Sequence, residues 1–85
     1  MSQPTVQWDD ENTHHILVEH AERRISKSEV EEVLLSWDTV RWWGRGGRLL
    51  AVGRTAAGRC LKVVYVGIQQ QRPVTAWQAP AKECS

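Results

Sequence analysis

The 85-residue sequence predicts a single α+β domain spanning residues 1–85, with two helices first and an antiparallel sheet of four to five strands after them. Three observations carry this. Val30, Val33, Leu34 and Trp37 recur at helical spacing and form one apolar stripe. After Asp38 the apolar period changes to two, the period of a strand. Glycine-bearing segments at 44–47 and 53–58 then cut the second half into short β-prone pieces.

The elements follow in order. "TVQW" (Thr5 to Trp8) is a short β-prone stretch. "DDEN" places acids in a first helical turn, where the helix dipole favours them, and Asp9 or Asp10 is the expected N-cap. That helix is expected to run to about Arg23, with Ile16, Leu17 and His20 on one face. The second helix starts at a capping box, Ser26 with Glu29, flanked by Ile25 and Val30 at the two positions of a hydrophobic staple. "TVRWW", "RLLAVGRT", "CLKVVYVGI" and "RPVTAWQA" read as four strands separated by "GRGG", "AAGR" and "QQQ". Pro73, near the start of the last, suggests an edge or an entry point. The resulting order is β-α-α-β-β-β-β. The helices cover one sheet face and leave the other partly wet.

Composition narrows the class. Hydrophobic content of 41% with 25% charged residues is that of a globular chain. No apolar run approaches the roughly 20 residues of a membrane span, and the start carries no basic and apolar leader, so no membrane association and a cytoplasmic location are expected. Cys60 and Cys84 are too few for a disulfide framework and are expected to remain free thiols, Cys60 on a strand and Cys84 in the tail. No metal or cofactor is expected. There is no CxxC, and on an α-helix His14 and His15 diverge by about 100° while neither forms an i, i+4 pair with His20.

Charge is split along the chain. Residues 1–40 carry three bases and nine acids, net −6; residues 41–85 carry eight bases and one acid, net +7. Two readings stand: a polyanionic or acidic partner for the second half, or neutralisation of the halves within one fold.

Taken together, "VQWDDEN", His20, "EVEEVL", "AVGRTAAGRCLKVVYV", "RPVTAWQA" and "KE" resemble the BrnT-type ribonuclease toxins of bacterial type II toxin–antitoxin modules, in the RelE-like superfamily. The resemblance runs from about Val6 to Glu83. It implies a RelE-like sheet with helices on one side and metal-independent cleavage of RNA. It also implies a cognate antitoxin, ribbon-helix-helix-like and DNA-binding, that covers the toxin. By position it implies catalytic roles for Arg54, Arg59, Arg72 and Glu83, and substrate contacts at Lys82. Two departures stand out. Trp77 occupies a last-strand position where the family usually has arginine, and "AERRIS" lengthens the link between the helices.

The chemistry these residue types serve is clear. Attack of a ribose 2′-hydroxyl on the adjacent phosphate needs a base, an acid and cations to hold the phosphorane. Arginine matches phosphate oxygens with a planar fork that stays charged. Arg54 and Arg59 flank one turn and are expected to reach one end of the wet face, where Lys62 joins them if Leu61, Val63 and Tyr65 face the helices. In the reverse register Tyr65 becomes a candidate acid. Replacing Arg54 and Arg59 together by alanine is expected to spare the fold. Trp77, and less so Trp42 and Trp43, offer rings for stacking bases. His20 is either a packed structural histidine or a base. The alternative to an enzyme is a non-catalytic module of the same fold that binds protein or nucleic acid.

Overall fold

The computed structural model describes residues 3–84. Strand β1 (Thr5–Val6) leads into α1 (Asp10–Thr13), a π-helical turn (His14–Glu19) and a 3-10 turn (Ala21–Arg23), followed by α2 (Lys27–Leu35). The chain then forms β2 (Val40–Trp43), β3 (Leu49–Arg54), β4 (Cys60–Val66) and β5 (Gln70–Gln78), and ends in a 3-10 turn (Ala81–Cys84). The five strands form one sheet in the order β1-β5-β4-β3-β2. β2 to β5 are antiparallel neighbours, while the two residues of β1 pair in parallel with Gln70 and Gln71. The α+β architecture is therefore the expected one, with β1 making the sheet mixed.

Both helix starts use their expected caps. Asp9 accepts from Asn12 N, and Asn12 Oδ1 accepts from Asp9 N in return. Ser26 and Glu29 make the same reciprocal pair at α2, and the staple residues Ile25 and Val30 are both buried. The first helix departs from expectation. Only one α-turn forms before the backbone widens to i→i+5 bonding. This segment covers the length of β5 that β1 leaves bare. Asn12 Nδ2 donates to Pro73 O, and Arg23 Nη1 donates to Ala76 O. A bare strand edge is an open ladder, and these side chains close it. Pro73 lies just past the last β1 pair, at a bulge opposite Val64 and Tyr65, where the missing N–H costs no ladder bond.

Strand alternation divides the sheet. Leu49, Ala51, Leu61, Val63, Tyr65 and Ala76 pack with Val30, Val33 and Leu34 of α2 in the main core. Tyr65 is therefore core, its hydroxyl accepting from Arg41 Nη1 at 2.9 Å. Arg41 also donates to Leu34 O in the last turn of α2, where a cation suits the free carbonyls. Trp37 does not join the stripe. The helix ends at Leu35, and Trp37 is 95% exposed. The β3–β4 turn closes through Gly58, whose φ of 88° lies in the left-handed region that glycine adopts without strain.

Candidate functional site

The second sheet face carries the candidate chemistry. Cross-strand register sets Val40, Val52, Lys62 and Trp77 in one row, and Trp42, Leu50, Val64 and Thr75 in the next. Lys62 is the centre of this surface. Its Nζ lies 5.5 Å from the Trp42 ring centroid and 3.0 Å from Glu83 Oε1, and Trp77 is its direct neighbour on β5. The side chain is only 19% exposed, so the Lys62–Glu83 pair is stronger than a fully solvated one.

Glu83 reaches this position because the C-terminal turn folds back over the sheet. Cys84 forms a disulfide with Cys60, across 24 residues of chain. Val52, Cys60 and Ala79 form a small second core against which Cys84 packs. The expectation of free thiols is thus corrected. Cys60 lies one residue before Leu61, on the opposite sheet face, and that face is where the tail docks. Arg54 and Glu83 line one recess of about 110 Å³ with Asp38, Val40, Val52, Gly53 and Cys84. Lys82 sits in the same terminal turn.

Arg54 and Arg59 do not share a face. Arg54 is exposed at the end of β3 and donates to Gly58 O at 2.7 Å. Arg59 turns to the helix side. It donates to the carbonyls of Arg23 and Arg24, to Glu29 and to Gln78. It closes the joint between the two helical segments, where Arg24 itself takes a left-handed φ of 54°. The expected pairing of both guanidiniums on the wet face is corrected by this parity.

Arg72 is on the open face opposite Val66, toward the other end of the sheet. Its Nε donates to Asp9 at 2.6 Å, and its Nη2 reaches Asp9 and Glu11. Hydrogen bonding to Arg72, with help from the Asn12 N–H, holds the Asp9 carboxyl below its ordinary value. The same bond raises the Arg72 guanidinium. Arg72 also lines a concavity of about 590 Å³ with Asn12, His14, His15, Glu19 and Val74. Part of the charge split along the chain is therefore neutralised internally, through Arg59–Glu29 and Arg72–Asp9. Among the described residues no ion pair engages Arg45, Arg48 or Arg54, all exposed.

His20 ends the π-helical turn, half-buried, with its ring edge-on to His15 at 4.8 Å. Spacing carries no sign of that contact, because residues five apart diverge on an α-helix. Nor did spacing signal Trp42 as the ring over Lys62; only the β2–β3 register brings it there.

Helices laid over one face of a five-stranded mixed sheet give the chain a fold of the BrnT type. The structure superimposes on that of the Brucella abortus ribonuclease toxin BrnT with a TM-score of 0.68 and 14% sequence identity, covering 91% of this chain and 97% of that one. No protein-family model and no curated protein matches the sequence. No helix among the described residues is long and apolar enough to cross a membrane.

Proposed function

We propose that this chain is the toxin of a toxin–antitoxin pair and cleaves RNA by 2′-hydroxyl attack on the adjacent phosphate, without a metal. The observation that carries the reading is the Lys62–Glu83 pair set between Trp42 and Trp77 on the open face of a fold shared with a ribonuclease toxin.

Each residue has a role in this reading. Glu83, displaced from Lys62 by the incoming phosphate, accepts the 2′-hydroxyl proton as the 2′-oxygen bonds to phosphorus; the phosphorus–5′-oxygen bond breaks, leaving a cyclic phosphate, and the departing 5′-oxygen takes its proton from solvent water. Lys62 holds the charge that develops on the phosphorane, in a partly desolvated setting where such an interaction is strong. Arg54 at the recess and Lys82 on the terminal turn grip neighbouring phosphates, and Arg72 receives the backbone at the far end of the face. Trp42 and Trp77 stack the splayed bases, the mode by which single-stranded RNA is commonly held. Arg59 contributes by holding α2 and the β3–β4 turn in place. A small antitoxin that covers the open face, ribbon-helix-helix-like and DNA-binding, completes the module.

The test is incubation of the purified chain with end-labelled single-stranded RNA in excess chelator. Cleavage is expected to persist, and Lys62→Ala or Glu83→Gln to slow it by about a hundredfold or more. Undiminished cleavage in both variants would remove the site. Retention of RNA without any cutting would assign the fold to a binding module, a role consistent with Trp77 standing on the last strand.

A further inference from the structure

We propose that His15, Glu19 and His20 form a binding site for a borderline divalent cation of the zinc class. The site is separate from the Lys62–Glu83 pair and has a structural role.

The backbone makes the cluster. In an α-helix, residues five apart lie about 140° apart around the axis. The i→i+5 bonding from His14 to Glu19 and the non-helical turn at His20 remove that divergence, and the His15 and His20 ring centroids come to 4.8 Å of each other. One ligand atom from each of His15, Glu19 and His20 lies within 4.8 Å of the other two. Tetrahedral zinc with bonds near 2 Å separates its ligand atoms by about 3.4 Å, a contraction that side-chain rotation supplies. Glu19 Oε2 already lies 2.8 Å from His15 Nδ1, occupying the line along which a cation would be shared.

The donor set suits this class of ion. Two imidazoles and one carboxylate are zinc-type ligands, and all three retain partial exposure for an entering ion and a bound water. An outer contact is present as well. His20 Nδ1 lies 3.3 Å from Glu22 Oε1, a carboxylate that orients the ring and leaves Nε2 for the metal. His14 Nδ1 lies 3.5 Å from the second Glu19 oxygen.

Location gives the ion its effect. The π-helical turn covers the bare edge of β5, and His15 and Glu19 line the 590 Å³ concavity beside Arg72. A cation there ties the two ends of the turn together and fixes that cover. It also offsets acids at a rim that includes Asp10 and Glu11.

The experiment titrates Zn²⁺ into the full metal-free chain by calorimetry. One equivalent is expected to bind. His15→Gln and His20→Gln should each weaken binding at least tenfold, and Glu22→Gln by about tenfold through the lost outer contact. In the wild-type chain, the same equivalent should shift the imidazole NMR signals of His15 and His20 before any others, a readout that needs no variant. Failure to bind below about 100 µM, or an undiminished, wild-type affinity in either histidine variant, would overturn the proposal. So would first shifts at residues outside the cluster. RNA cleavage that persists in chelator leaves this site standing, and loss of metal binding leaves the cleavage reading standing.

Discussion

Replacing Arg59 by alanine should unfold the joint between the helices and the β3–β4 turn. The side chain is 22% exposed and its guanidinium makes bonds of 2.6 Å to Arg24 O and 2.5 Å to Arg23 O, besides those to Glu29 and Gln78. A hydrogen bond involving a charged group is worth about 1.5–3 kcal/mol, and partial exposure discounts each of these. The sum is about 2–3 kcal/mol. For a domain of this size each kcal/mol moves the melting midpoint by about 4–8 °C, so a fall of about 10–20 °C is expected. Arg54→Ala loses one exposed bond to Gly58 O and should cost below about 1 kcal/mol. Circular dichroism melts of wild type, Arg54→Ala and Arg59→Ala decide the matter. A difference of less than about 3 °C between the two variants would refute the clamp. The outcome governs how activity is interpreted. Cleavage lost in a chain lacking Arg59 reports a loosened fold, whereas cleavage lost with Arg54 alone, at an unchanged midpoint, reports the site.

Two further outcomes follow from the same contacts. Reduction, or Cys60→Ser with Cys84→Ser, opens a loop of 24 residues and should lower stability by about 3 kcal/mol; a midpoint indifferent to reductant would mean the tail is not tied to the sheet. Asp9→Asn keeps a competent helix cap but removes the charge facing Arg72. Because the folded carboxyl lies below its ordinary 3.8, its stabilisation is complete above that value and is lost as pH falls through the lowered one. The gap in melting midpoint between wild type and Asp9→Asn should therefore hold at pH 5 and above and close in stronger acid, and a gap constant down to pH 2 would contradict the ion pair.

The local signals in the sequence were strong where one short-range force acts alone. The Ser26–Glu29 box, the Ile25–Val30 staple and the period-two strands appear as expected because each needs only its own neighbours. Trp37 failed for a physical reason. Its spacing continues the stripe, but the chain leaves the helix at Ser36, and a residue beyond the cap no longer shares the helix's face. The disulfide was hidden because spacing in sequence does not reveal that the tail folds back over β4. The His15–His20 contact was hidden because the rule applied, 100° per residue, presumes an α-helix that the backbone abandons after Thr13.

Arg59 is the instructive case, because its placement was available from the residues. Once Leu61, Val63 and Tyr65 are assigned to the helix face, alternation sends residue 59 the same way and residue 60 the opposite way. Arg54, on β3 with Leu50 and Val52, belongs to the open face by the same parity. Two arginines five residues apart across a turn are of opposite parity, and only a bulge at the turn could bring them together. The turn is bonded through Thr55 and Gly58 without such a correction, and Arg59 N accepts its place by donating to Thr55 Oγ1. In the proposed RNA-cleaving reading, a phosphate at this end of the sheet would therefore meet one arginine and the Lys62–Glu83 pair, while the second arginine serves the fold that presents them.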